Sequence, residues 1–424
     1  MSTKTAEVST AKEGSSNTPG TATPGTFVWM AGFFLLGVLM GMLGSLVITW
    51  QYHIDAQPKS IGLHFLGMSA GFVLSSLLVP RALARVPVRT LALGSSGLAF
   101  LSLVALALLA PPSAAVWRIG TLAVAGIAAG TLTYSVFHAN QTMFEIAPAT
   151  TANHAGVLFV GGGLLATIVV GSTYFGSSIH IQTALLSIVP AIYVVVLLQI
   201  QLVPTVSPVI HQREDILRET LKDLRSIAAM LFSLLVFFQF ACEWAMVGWL
   251  PLYLIHTLGI NPVTAVWALG LYFLALMVGR LLAQVLLPIV SHRKMLIISV
   301  VGAMFGYLML SLTNFIAIAL AASVIIGFSH APVFPLIAEK LDDRFSYHPG
   351  FYSGMISFAM AGAMATPWLL GYIAEWLGMR FVMLIPAMAS VAVFILSILI
   401  MLESRLMGSG KLHDSADGLL ASDK

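Results

Sequence analysis

Charge and cysteine are what this sequence has least of. Only 9% of its 424 residues are charged, against about a quarter in an ordinary soluble domain, while 58% are hydrophobic and the mean hydropathy is +0.95. That balance excludes a water-soluble fold. The single cysteine, Cys242, stands inside an apolar run, which excludes a disulfide framework and a thiolate metal site. There is no intramembrane Asp pair and no HExxH, so the convergent residue sets of a membrane-embedded enzyme are lacking. Gly161 to Gly163 is no phosphate cradle, because it lies within a helical run and has no Lys or Ser/Thr of a P-loop beside it. No enzyme activity, cofactor or metal is expected. The net charge of +3 comes from basic residues scattered over short loops, which orient helices and do not form a nucleic-acid patch.

What the chain does have is apolar runs almost back to back. A bilayer core about 30 Å thick needs about 20 mainly apolar residues per helix, and such runs fill the chain from Phe27 to Leu402. Residues 1–26, rich in Ser, Thr, Gly and Pro, are expected to form a disordered tail. The first run, Phe27 to Trp50, is too long for a signal h-region. Further runs begin near Ile61, Thr90, Ile119, Asn153 and Ala184, completing six spans over 27–204. The polar stretch 205–226 carries Ile216, Leu217, Leu221 and Leu224 at helical spacing, as a surface linker helix would. Six more runs, over 227–402, begin near Ile227, Val263, Met295, Ile316, Phe351 and Phe381, before a polar tail over 403–424.

Twelve spans place both termini on one side. All but Lys59, Arg118 and Arg380 of the 20 basic residues then fall on that side, which the positive-inside rule identifies as cytoplasmic. The two halves also repeat. Leu63 to Pro80 lies over Leu271 to Pro288 without a gap, with Leu63, Phe65, Leu66, Gly71, Leu74, Leu78 and Pro80 identical to the residues 208 further on. Both segments are the second span of their half, as parallel repeats about an axis along the membrane normal require.

Gly327-Phe-Ser-His-Ala-Pro-Val-Phe-Pro335, followed by Ser353-Gly354, Gly362, Pro367, Gly371 and Gly378-Met-Arg380, resembles the tenth and eleventh helices of the major facilitator superfamily's fucose permease and sugar-transporter branch. Cys242-Glu-Trp-Ala-Met-Val-Gly-Trp-Leu-Pro-Leu-Tyr253 is similar to that branch's seventh helix, and Gly126, Gly130, Asn140 and Gly161 to Gly163 match more loosely. The resemblance implies an all-α membrane fold of twelve transmembrane helices in two parallel six-helix repeats. It also implies secondary transport by alternating access. Two features depart from the branch. The loop Pro80-Arg-Ala-Leu-Ala-Arg-Val-Pro-Val-Arg89 lacks the usual Asp, and the first span has no carboxylate, with Val136 at the fourth-span position.

An ionisable side chain at membrane depth is a functional candidate by default, because it is costly unless paired or wetted. Glu243 stands roughly 24 Å along a helix starting at Ile227, at about 1.5 Å per residue, near the midplane where transporter sites sit. It is the candidate coupling carboxylate, with a fixed structural pair as the competing role. Gln239, four residues earlier, faces the same way. Arg280 stands about ten residues from the cytoplasmic end of the eighth span and is the candidate gate. A pair with Glu243 would have to bridge roughly 9 Å along the axis. His330, between Gly327 and Pro332, belongs where the backbone ladder breaks. Trp244, Trp249, Trp267 and Trp368 could stack on a sugar face, Trp244 beside Glu243 first among them, or belong to an interfacial belt. Asn140, like His138, suits either solute binding or interhelical bonding. Gln239, Glu243, Trp244, His330, Asn140 and Trp368 are therefore the candidate solute-binding set.

The function expected is proton-coupled movement of a sugar or similar neutral polar molecule by a monomeric, multi-pass protein of a bacterial inner membrane. Its partners are the solute, H+ and the lipid bilayer, with no nucleic acid. Export of amphipathic compounds is the competing transport reading, favoured by the nearly apolar first span. A non-transporting receptor is the alternative outside transport.

Overall fold

The computed structural model describes residues 24–52, 57–83, 85–176, 178–199, 227–286, 289–344 and 349–421. The linker helix expected over 205–226, and most of the tail expected over 1–26, lie outside them. All regular structure among the described residues is helical. In chain order the helices are α1 (Pro24–Gly41), α2 (Leu43–Thr49), α3 (Pro58–Ala82), α4 (Val88–Leu108), α5 (Ala115–Ala139), α6 (Gln141–Ile146), α7 (Pro148–Thr173) and α8 (Ile179–Gln199). The second half holds α9 (Ile227–Leu258), α10 (Pro262–Leu286), α11 (His292–Leu312), α12 (Ile316–His330), α13 (Val333–Arg344), α14 (Pro349–Leu377) and α15 (Phe381–Ala421).

In hydrocarbon each backbone polar group must be satisfied within its own segment, which is why apolar runs of this length become helices. Eleven helices among the described residues are long and apolar enough to cross a membrane, counting α1 with α2 and α12 with α13 as one span each. The 29-residue α14, with Glu375 as its one charged side chain, lies between the last two of them. Among the described residues the crossing part of α15 is Phe381–Glu403, and its backbone stays helical to Ala421. Two breaks interrupt the spans. That after His330 coincides with Pro332, whose ring cannot extend a helix. That at Met42 falls in a run with no proline, a division the continuous apolar pattern of Phe27 to Trp50 does not reveal.

Within the first half α3 packs on α5, α1 on α7, and α4 on both α5 and α8. Within the second, α10 packs on α12, α9 on α14, and α11 on both α12 and α15. These are the same span pairings in the same order, second with fourth, first with fifth, third with fourth and sixth. The halves meet along α3·α14 and α7·α10, two seams that the repeat exchanges. With twelve spans, α1 starts at one end of the bundle, called proximal here, and α2 finishes at the distal end. At the distal end Gly62 lets α3 approach the Trp368 carbonyl, where a Cβ would stand 2.9 Å from the oxygen. The Ser69 hydroxyl reinforces that seam by donating to the Met364 carbonyl (2.9 Å).

Candidate functional site

Glu243 stands in the middle of α9, where the sequence depth places it, and is buried. The amide of Gln239, one helical turn earlier on the same face, donates to its Oε1 at 2.9 Å. Glu243, Trp244 and Val247 line one wall of a small cavity. Tyr272, Phe273 and Leu276 of α10 form a second wall, with Gly41 of α1 and Phe159 and Val160 of α7 opposite. Trp244 meets Phe159 edge to face, with ring centroids 6.3 Å apart. The cavity therefore lies between the halves, where α1 and α7 face α9 and α10. Its free volume is about 20 Å³, room for about one water.

Arg280 is one turn beyond Leu276 on α10, and Gly156 one turn before Val160 on α7, so the two meet just proximal to the cavity. A Cβ on Gly156 would stand 1.7 Å from Arg280 Nη1, so only glycine leaves space for the guanidinium there. Below it the Asn153 amide donates to the Arg280 backbone carbonyl (3.1 Å). Arg280 is 4% exposed, and its Nε and Nη1 have no hydrogen-bond partner among the described residues. Glu243 and Arg280 lie in each other's electrostatic field without an ion pair within 4.0 Å. The axial offset inferred from the sequence is not bridged.

His330, 1% exposed at the end of α12, lies 3.3 Å from the Tyr272 hydroxyl through Nδ1. Tyr307 of α11 donates to the Cys242 carbonyl (2.7 Å), so α9, α10, α11 and α12 are tied together around Glu243. His330 thus reaches the cavity through Tyr272 and does not line it. The sequence reading overlooked Tyr272, Phe159 and Tyr307. For Tyr272 a signal existed: residues 272, 276 and 280 form one helical stripe ending on the candidate Arg.

Two candidates lie elsewhere. Asn140 caps α5, and its amide donates to Val136 of the same helix (2.8 Å). Trp368 sits in the α3·α14 seam, its ring 5.7 Å from Tyr372 and its indole N–H buried without a partner among the described residues. Neither lines the cavity. Arg118, read from sequence as an external loop charge, is instead buried in α5. Its guanidinium donates to the Ser113 carbonyl (2.6 Å) and to the Tyr52 hydroxyl (2.8 Å), and stacks over Trp50 and Tyr52. The Tyr52 hydroxyl in turn meets His64 Nε2 (2.9 Å), and His64 Nδ1 meets the Ser60 carbonyl (2.9 Å). A carbonyl only accepts, so Nδ1 carries the proton, Nε2 accepts from Tyr52, and the chain donates in one direction from Arg118 to Ser60, with Arg118 Nε left without a partner among the described residues.

The family model of the Major Facilitator Superfamily matches residues 29–361. No curated protein matches. Among solved structures, a point mutant of the nucleoside transporter NupG is similar with a TM-score of 0.67 and 12% identity, over 89% of this chain and 99% of that one. A D-xylose-proton symporter gives 0.67 and 14%, over 88% and 96%. FucP in the outward conformation gives 0.65 and 15%, over 88% and 98%. At such identities these likenesses speak to the fold alone. With most of its length inside the family match, the chain belongs to the Major Facilitator Superfamily.

Proposed function

We propose that the protein is a proton-coupled secondary transporter of a small polar organic solute, bound where α1 and α7 face α9 and α10. The observation that carries this reading is Glu243, a buried carboxylate in the wall of the cavity between the halves, bonded to Gln239 and in ion-pair contact with no cation among the described residues. A charged carboxylate in that setting is disfavoured unless solvated or paired. Its protonation is therefore linked to which side the cavity opens, and a linked proton shifts that equilibrium by its differential affinity for the two states. Trp244 and Tyr272 supply a stacking face and a hydroxyl for a hydroxylated solute. The nucleoside transporter and the D-xylose-proton symporter of similar fold support a polar solute over amphipathic compounds. With room for about one water, the cavity admits a solute only when the halves part. Arg280, on the proximal side of the cavity, is placed to close that path.

In proteoliposomes under an imposed pH gradient, Glu243→Gln is expected to abolish accumulation while retaining counterflow exchange, because the amide mimics the protonated acid. Wild-type accumulation by that variant would falsify the coupling role and leave Glu243 as a structural residue.

A further inference from the structure

Arg280 is a fixed charge that the fold seats and leaves without a partner. Gly156 clears its space and Asn153 holds its backbone, yet Nε and Nη1 are buried and donate to nothing among the described residues. Burying a charge is tolerable only when it is paired, and no described carboxylate comes within 4.0 Å of it. Glu243, on the far side of the Leu276 turn, keeps its distance and commits an oxygen to Gln239.

We propose that the transported solute carries a single carboxylate and that the guanidinium of Arg280 is its seat. The inference rests on reading the cavity as the solute site, and it departs from the neutral solute expected from the sequence. The planar guanidinium presents parallel N–H donors, Nη2 paired with either Nε or Nη1, at the spacing of a carboxylate's two oxygens. Its place one turn from Leu276 sets it just proximal to the cavity, where Trp244 and Tyr272 face the rest of a hydroxylated body. The class of ligand is thus a small hydroxy acid or sugar acid.

Charge balance decides between one and two negative charges. The ionisable groups in and around the site are Glu243 on α9, Tyr272 and Arg280 on α10, Tyr307 on α11 and His330 on α12, while the Cys242 thiol of α9 turns to Pro386 of α15. His154 of α7 is exposed, and α1 carries no ionisable side chain. With Glu243 ionised, Arg280 already balances it and an added anion would be in excess. With Glu243 protonated, one monoanion restores neutrality and a dianion exceeds it. Loading therefore takes up one proton together with one carboxylate.

The test is thermal unfolding of the full-length protein in nanodiscs with matched probes: D-glucuronate, D-gluconate and L-lactate against D-glucose, sorbitol and propane-1,2-diol. At least one acid is expected to raise the unfolding temperature where its uncharged counterpart does not, and to do so more at mildly acidic than at alkaline pH. Arg280→Gln should remove that shift, and Arg280→Lys should weaken the acid about tenfold or more through loss of the two-pronged geometry. The empty Arg280→Gln protein should melt no lower than wild type, since it loses a buried charge with no carboxylate in contact and no side-chain hydrogen bond among the described residues. Gly156→Ala, which keeps the charge but displaces the guanidinium, carries the same test should Arg280→Gln not fold. Acids and neutral counterparts shifting alike, no acid shifting, or an acid shift surviving in Arg280→Gln would each overturn the carboxylate seat. Glu243→Gln separates the two readings. It should bind the acid equally at both pH values, and a pH dependence that persists there removes the proton role of Glu243 while leaving the seat in place.

Discussion

Tyr52 is the single hydroxyl joining Arg118 to His64, accepting from the first and donating to the second. Removing it leaves a buried guanidinium N–H and a buried imidazole nitrogen without partners. Tyr52→Phe is expected to cost about 0.5–1.5 kcal/mol, read as a lower unfolding temperature. Solute binding should be unaffected, because this network lines no part of the cavity. Loss of binding at unchanged stability would move the network into the transport site. The contrast between Glu243 and Arg118 shows what residue-level reading captures. A lone acid deep in an apolar run is visible from the sequence alone, since nothing but function or a partner accounts for it. Arg118 stands near a span end, where depth does not distinguish a loop charge from one folded back on Ser113, Trp50 and Tyr52. The aromatic partners that bury it come from α2 and the segment after it, a contact no local pattern encodes.

At the scale of elements, the break at Met42 and the proline of α9 belong together. Pro251 has no N–H, so the Val247 carbonyl one turn earlier lacks its helical partner. That carbonyl points at Gly44 of α2, where a Cβ would stand 1.9 Å from the oxygen. The turn of helix after the break thus closes the distal side of the cavity by backbone against backbone. Gly44→Ala is expected to push α2 from α9 and shift the protein toward a distally open state. Longer distances between spin labels at the distal ends of α2 and α9 would show this, and an unchanged distribution would mean the seam absorbs a methyl elsewhere. The break after His330 was legible from Pro332, because proline acts through its own ring. That at Met42 was not, because its cause lies in the fit of Gly44 to another half of the chain.

For the whole molecule, span count, repeat and family were all legible, since each follows from hydrophobic length and from glycine and proline positions that survive as identical residues between halves. The position of the cavity was legible only as the depth of Glu243. Its walls required the seam between α7 and α10, which pairs residues more than a hundred positions apart. Two global properties remain to be measured, and each has an expected outcome. If the proximal face is cytoplasmic, as the loop charges indicate, Lys59→Cys should react with a membrane-impermeant maleimide added outside intact cells, whereas Arg293→Cys should react only after permeabilisation. If Arg280 closes the proximal path, Arg280→Gln should lengthen label distances across the proximal face, and an unchanged distribution would confine Arg280 to the solute seat.

Cys242 has a practical use in such measurements. It is 1% exposed, with its thiol 3.4 Å from the Pro386 carbonyl in the contact between α9 and α15. That contact lies inside one half, so rocking of the halves leaves the sulfur covered and only loss of the second-half bundle uncovers it. A fluorogenic maleimide therefore meets no background thiol in the folded protein and reports unfolding by the native sulfur alone. The unfolding temperatures of the Tyr52, Arg280, Gly156 and Glu243 variants can be read from that signal without introducing a label.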